Sequence, residues 1–97
     1  MNRLTNSAQQ AQRASYLREQ LQARFQPLAL EIHDDGAQHR GHAHEGHGHY
    51  SVQIVAPAFA AKSRLERHRM IYAALGDLRQ ADIHALSIRA LAPGESP

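Results

Sequence analysis

The spacing of the apolar residues changes at Pro27, and this change limits the folds that the chain can adopt. Before the proline, steps of three and four residues separate the members of one helical stripe: Ala14, Leu17, Leu21 and Phe25. We therefore predict an amphipathic helix over residues 6–25, capped by Asn6 or Ser7 and ended by Pro27. After the proline, apolar and polar residues alternate, which is the pattern of a half-buried strand.

Two strands follow the predicted helix. Apolar residues in alternate positions mark them: Leu30 and Ile32 in the first, then Tyr50, Val52 and Ile54 in the second. No helical pattern separates the two strands, so we expect an antiparallel pair. Residues 34–49 connect them with sixteen residues rich in Asp, Gly and His. A connection of this length inside a compact domain is usually functional or disordered.

The second half of the chain predicts a helix and a third strand. Ser63 and Glu66 have the spacing of a capping box and begin the helix, after one helical turn over residues 58–61. Two sets of residues on this helix each share a face: Leu65, His68, Tyr72 and Leu75 in one, and Ile71, Ala74 and Leu78 in the other. The strand covers residues 83–90, with four residues on one side: His84, Leu86, Ile88 and Ala90.

The elements therefore follow the order α-β-β-α-α-β, with no internal repeat. This order predicts a single α+β domain over residues 1–92, in which helices pack on a three-stranded sheet. Residues 93–97 are predicted to form a flexible tail.

The chain has eight histidines and no cysteine among its 97 residues. It can therefore form no disulfide, and it cannot supply the four thiolates that usually hold an iron–sulfur cluster. Any metal chemistry must use imidazole and carboxylate groups. No HExxH or related spacing is present, and neither Ser63 nor Ser87 has the neighbours of a nucleophile, so we do not expect an enzyme.

Charge and hydropathy restrict the location of the protein. The formal net charge is only +2, and no apolar run approaches the roughly 20 residues of a membrane span. Arg3, Arg13 and Arg18 precede the first acidic residue, Glu19, as in a mitochondrial transit peptide. Because the same stretch forms the predicted first helix, we expect a cytoplasmic protein instead.

Five histidines in eleven residues fall in the long connection: His39, His42, His44, His47 and His49. Intervening glycines allow the backbone to wrap an ion, although a solvated polar loop with adventitious affinity for zinc or nickel explains the same pattern. His68 lies among apolar residues of the second helix, which favours a packed core histidine. His84 is either a metal ligand or a hydrogen-bonded histidine at the edge of the core.

Four cations lie within eight residues at the start of the second helix: Lys62, Arg64, Arg67 and Arg69. Such a patch can contact the phosphates of DNA. A solvated helix face, or a docking site for an acidic patch on a partner protein, accounts for it as well.

Two motifs resemble the BolA-like family. Residues 67–72 read RHRMIY and residues 83–88 read IHALSI, both close to the family's helix and last-strand patterns. The resemblance spans about residues 14–93 and implies a fold related to the type II KH domain. It departs at residues 34–42, which read DDGAQHRGH against the family's DESHKHAGH, and at residues 59–63, which read FAAKS against FEGKS. There is no GXXG loop, so RNA binding by a KH mechanism is not expected.

The resemblance also implies a partner and a cofactor. Family members form a heterodimer with a monothiol glutaredoxin, bridged by a 2Fe-2S cluster, and some bacterial members are DNA-binding regulators of morphology and stress genes. Carried over to this sequence, the histidine ligands are His84 and one loop histidine, His39 first and His42 second. The partner and its glutathione would supply the thiolates. The expected function is an adaptor in iron–sulfur trafficking or iron homeostasis, with DNA binding through residues 62–69 as the alternative, and a homodimer of the chain alone stays open.

Overall fold

The computed structural model describes residues 6–35 and 48–97. Its elements, in chain order, are helix α1 (Asn6–Phe25), strand β1 (Ala29–Asp34), strand β2 (His49–Val55), a 3-10 turn (Pro57–Phe59), helix α2 (Arg64–Leu75) and strand β3 (Ala85–Leu91). The α+β class and the order of the elements are confirmed. The helical turn predicted over residues 58–61 is the 3-10 turn Pro57–Phe59.

The three strands form one sheet in the order β1-β2-β3. Strands β1 and β2 are antiparallel, as predicted, with Ile32 opposite Val52. Strand β3 is parallel to β2, with Tyr50 opposite Leu86. A parallel neighbour requires a crossover connection, which the 3-10 turn and α2 provide.

The helices cover one face of this sheet and enclose the core. The largest fully buried side chains come from both helices, the sheet and the connections: Leu17, Leu21, Tyr50, Ile54, Phe59, Ile71, Leu75 and Ile83. The predicted stripe of α1 and the alternation of β2 are therefore confirmed. Alternate residues such as Glu31, Ser87 and Arg89 lie on the opposite, uncovered face.

Helix α2 buries only part of each predicted face. Ile71 and Leu75 are buried, whereas Leu65 is 58 % exposed and Tyr72 is 43 % exposed. His68, one turn after Leu65, is half-buried, so the prediction of a packed core histidine is wrong. Apolar residues occur on more than one side of α2. Packing against the sheet decides which of them are buried, and the sequence pattern does not specify that packing.

The start of α2 and the predicted tail are both held by side-chain hydrogen bonds. Ser63 and Glu66 form the expected capping box, with Ser63 Oγ accepting from Glu66 N at 3.0 Å and Glu66 Oε1 accepting from Ser63 N at 2.7 Å. Glu95 is bonded to Arg67 of α2, so the segment predicted as a flexible tail, residues 93–97, contacts the domain at this residue. The predicted cap of α1 falls outside the side chains that the structure describes.

Neither helix in the described part of the chain is long and apolar enough to cross a bilayer.

Candidate metal site

The parallel pairing of β2 and β3 brings the start of both strands to one end of the sheet. Gly48, directly before β2, accepts hydrogen bonds at its carbonyl oxygen from His84 N at 2.8 Å and Ala85 N at 3.2 Å. His49 is the register partner of Ala85. The predicted ligand His84 therefore lies where the chain re-enters the sheet after the histidine-rich segment.

Only glycine fits at position 48. Gly48 has a φ of +70°, and a Cβ atom there would lie 2.6 Å from Asp82 O, 3.0 Å from His84 N and 3.2 Å from His84 Cδ2. Side chains rarely adopt that φ, and the first two contacts involve backbone atoms that cannot move aside. The end of the histidine-rich segment is thus held directly against His84.

The other end of that segment is held at the same end of the sheet. The carboxylate of Asp35, one residue after β1, accepts a hydrogen bond from the hydroxyl of Ser51 in β2. The chain thus leaves the sheet at Asp35 and returns at Gly48. His39 and His42, the predicted loop ligands, lie outside the described residues, as do His44 and His47.

The imidazole of His84 is exposed but not without contacts. Its side chain is 58 % exposed, and Nε2 lies 3.1 Å from Asp82 Oδ1. His84 directly precedes β3 and is more exposed than the half-buried Leu86 and Ile88, and its ring is hydrogen-bonded, as one of the two alternatives from sequence expected. A ring that is bonded at one nitrogen and open to solvent can still offer its second nitrogen to a metal.

A buried arginine holds Asp82 in place. Arg13 of α1 is 6 % exposed, and its Nη1 donates to Asp82 Oδ2 at 2.8 Å. Its Nε donates to the hydroxyl of Tyr50 at 3.3 Å. Burial raises the pKa of Tyr50, which keeps the phenol neutral and able to accept this hydrogen bond. Arg13, Asp82 and His84 therefore form one chain of contacts from the protein interior to the surface.

The described residues include one predicted histidine ligand, His84, but no complete metal site. Within residues 6–35 and 48–97, no group of three or more His, Asp or Glu side chains lies close enough to hold a metal ion. The sequence patterns predict neither Asp82 nor Arg13 as part of this site. The i, i+2 spacing of Asp82 and His84 was the available signal, but only the fold shows that Arg13 fixes the carboxylate.

The predicted cationic patch divides into two parts. Lys62, Arg64 and Arg69 are exposed, whereas the side chain of Arg67 is only 12 % exposed. Arg67 donates to Glu95, to Ala90 O at 2.9 Å and to Lys62 O at 3.0 Å. Its guanidinium is therefore occupied by contacts within the domain, unlike the side chains of the other predicted DNA-contacting residues, which are exposed.

Comparison with known proteins places these residues in a family. The profile of the BolA-like protein family matches residues 21–95. SufE-like protein 1, chloroplastic/mitochondrial, of Arabidopsis thaliana is 40% identical over 90 residues, covering 86% of this chain and 24% of that protein. Protein BOLA1, chloroplastic, of the same plant is 39% identical over 90 residues, covering 88% of this chain and 56% of that protein. The chain thus spans well under two thirds of either plant relative.

A bacterial relative and a solved structure agree with this match. The DNA-binding transcriptional regulator BolA of Escherichia coli (strain K12) is 36% identical over 72 residues, covering 74% of this chain and 68% of that protein. The solved structure of the BolA domain of SufE1 from Arabidopsis thaliana superposes with a TM-score of 0.74 at 42% identity. That superposition covers 87% of this chain and 95% of the other.

Proposed function

Because the chain belongs to the BolA-like protein family, we propose that it is a non-enzymatic adaptor for iron–sulfur clusters. In this proposal His84 and one histidine of residues 36–47 bind a 2Fe-2S cluster that is shared with a monothiol glutaredoxin. The heterodimer serves cluster trafficking or iron-dependent regulation. The matched relatives and the fold support the family, while the cluster and the glutaredoxin are our inference from the ligand chemistry and the resemblance.

The ligand chemistry requires a partner. A 2Fe-2S cluster has four ligands, and two of them can be histidines on one iron. This chain has no cysteine, so it can supply only nitrogen or carboxylate ligands. A glutaredoxin cysteine and its glutathione would supply the two thiolates. The cluster, when bound, would give the heterodimer its visible colour and its capacity to carry iron and sulfide.

The observation that carries the proposal is the hydrogen bond between His84 Nε2 and Asp82 Oδ1 at 3.1 Å. Because the carboxylate accepts from Nε2–H, the ring is held in the tautomer whose Nδ1 lone pair is available. Metal-binding histidines usually donate their other N–H to such a carboxylate. We therefore infer that Nδ1 of His84 is the ligand atom and that Asp82, held by Arg13, is a positioning residue.

The second ligand would come from the segment between Asp35 and Gly48. Both residues lie at the same end of the sheet as His84, which supports a ligand from residues 36–47. By alignment with the family pattern, His39 is the first candidate and His42 the second.

The test is co-expression with a monothiol glutaredoxin, followed by visible circular dichroism of the purified complex. His84→Ala should abolish or shift the cluster bands. His33→Ala is the matched control, because His33 is 65 % exposed and also has a carboxylate two residues away, Glu31. If the cluster bands are unchanged in both His84→Ala and His39→Ala, the proposed histidine ligation of the cluster is wrong.

A simple metal-buffering module gives a different result. Zinc or nickel bound by the isolated chain would then survive His84→Ala and disappear when residues 42–47 are removed. If instead the purified chain alone assembles a stable iron–sulfur centre, the requirement for a partner is wrong.

DNA-binding regulation is the second candidate function. It is favoured by the exposed cations Lys62, Arg64 and Arg69 and by the relationship to the E. coli regulator. Contacts with phosphates should make binding fall with salt. A gel shift that is salt-sensitive and lost in Lys62→Ala/Arg64→Ala/Arg69→Ala would support this function, and unchanged binding in that variant would contradict it.

A further inference from the structure

A groove of about 520 Å³ runs between α2 and the outer edge of β3. Four cationic side chains line it: Lys62, Arg64, Arg67 and Arg89. Arg89, from β3, was not part of the predicted cationic patch, and it joins the helix residues only because α2 crosses beside this strand. Lys62, Arg64 and Arg89 are exposed, so the groove presents positive charge to an incoming molecule.

The backbone of β3 forms one wall of the groove. In a parallel ladder, alternate residues direct both their N–H and their C=O toward the neighbouring strand. The N–H of Ala85 and the C=O of Leu91 are bonded on the β2 side, so the odd-numbered residues face β2. The even-numbered residues, including Ile88, direct these groups outward, and β3 is an edge strand of the sheet.

Side chains of α2 contact this edge on both sides of Ile88. Tyr72 OH lies 3.5 Å from Leu86 O, and Arg67 Nη1 donates to Ala90 O at 2.9 Å. The outward N–H and C=O of Ile88 lie between these two contacts. The open stretch of this edge is therefore short, and a long added strand would displace both side chains.

One cation that lines the groove, Arg67, already binds a carboxylate of the chain itself. Arg67 Nη1 and Nη2 donate to the two oxygens of Glu95 at 2.6 Å and 3.0 Å. Arg64 and Arg89 line the same groove. This contact shows the kind of anionic group that the lining accommodates.

We propose that the groove binds an extended acidic segment of a partner protein, which adds to β3 beside Ile88 and places its carboxylates against Arg64 and Arg89. An extended peptide offers alternating N–H and C=O groups, so it can bond to both backbone groups of Ile88. A nucleic acid backbone has acceptor oxygens for the cations but no N–H donor for the Ile88 carbonyl. The edge and the charge together favour an acidic polypeptide.

The probe is a fluorescein-labelled peptide in which glutamate and valine alternate, measured by anisotropy at low salt. Two matched peptides test the two parts of the proposal. In the first, glutamine replaces glutamate, and in the second, alternate backbone nitrogens are methylated. Both should bind at least about tenfold more weakly than the parent, because one lacks the charges and the other lacks the strand hydrogen bonds.

Protein variants locate the site. Arg64→Gln/Arg89→Gln should weaken binding of the acidic peptide by roughly tenfold, since each exposed ion pair contributes a modest factor. Arg79→Gln is the matched control, because Arg79 is 92% exposed and does not line the groove. In the parent complex, the amide of Ile88 should become protected from hydrogen exchange.

Three results would overturn the proposal. The first is equal binding of the methylated peptide, which would exclude strand addition. The second is unchanged binding to Arg64→Gln/Arg89→Gln, which would exclude this groove. The third is a different occupant: short duplex DNA that binds more tightly than the peptide and is lost in the same double variant, or protection of Ile88 by self-association of the chain without peptide.

Discussion

Arg67 and Glu95 form a two-pronged ion pair, with Nη1 donating to Oε1 at 2.6 Å and Nη2 donating to Oε2 at 3.0 Å. The same guanidinium donates to Ala90 O in β3. Glu95 Oε1 also accepts from the backbone N–H of Ala92 at 2.8 Å. One side chain thus joins α2, the last strand and the chain that follows it.

This ion pair predicts a pH dependence of stability. The hydrogen bonds from Arg67, followed by that from Ala92, lower the pKa of Glu95 from 4.5 to about 2. A carboxyl group whose pKa is depressed by folding binds its proton more readily in the unfolded chain. Its contribution is therefore present above about pH 4.5 and is lost as the pH falls toward about 2.

Glu95→Gln should remove this contribution. We expect the free energy of unfolding in urea to fall less between about pH 5.5 and about pH 2.5 in this variant than in the parent. Glu19→Gln, at an exposed position of α1, is the control and should retain the parental slope. Equal pH dependence in the parent and in Glu95→Gln would show that the ion pair does not form in solution.

Gly48→Ala should destabilise the domain and disturb the candidate metal site. The new Cβ would combine an unfavourable φ with a 2.6 Å contact to Asp82 O, and we expect a loss of about 2 kcal/mol or more. Gly94 also has a positive φ, +89°, but a methyl group there would meet nothing within 4 Å, so Gly94→Ala should cost only about 1 kcal/mol. Chemical denaturation measures both values, and similar losses would contradict the close contact.

Asp82→Asn should allow His84 to populate both neutral tautomers while the imidazole itself is retained. Asp82 has a φ of +60°, which asparagine also tolerates, so the backbone should be retained. Long-range ¹⁵N–¹H spectra at about pH 8, where histidine rings are generally neutral, should show Nε2–H in the parent and a mixture of tautomers in the variant. His33 serves as the internal reference, and an unchanged His84 pattern would contradict the positioning role of Asp82.

Ile71→Ala and Leu65→Ala test which face of α2 supports the core. Ile71 is fully buried, so its truncation should cost about 2–5 kcal/mol. Leu65 is 58 % exposed, and its truncation should change the free energy of unfolding by about 0.5 kcal/mol or less. Comparable losses in urea denaturation would mean that Leu65 is buried in solution.

Much of the fold follows from local sequence patterns. The stripe of α1 and the alternation of β2 each have one apolar side, so periodicity alone predicts which residues are buried. Ser63 and Glu66 are close in sequence, and their capping box was predictable for that reason. In α2, by contrast, Leu65, Ile71 and Tyr72 are all apolar or aromatic, and only packing against the sheet decides among them.

The candidate site depends on contacts between distant parts of the chain. His84 was predictable from the family motif, but Arg13 and Asp82 are 69 residues apart, and neither residue carries a local signal for the other. The contact of Arg67 with Glu95 spans 28 residues. Local reasoning therefore counted Arg67 among the cations available to DNA, although tertiary structure uses it internally.

The direction of β3 has a consequence for how this domain can diversify. Because β3 is parallel to β2, its first residues lie beside Gly48. An antiparallel β3 would have placed His84 at the opposite end of the sheet, near Val55. The scaffold thus fixes both ends of the histidine-rich segment and the imidazole beside them. The length and histidine content of that segment can vary between descendants while the hydrophobic interior is left unchanged.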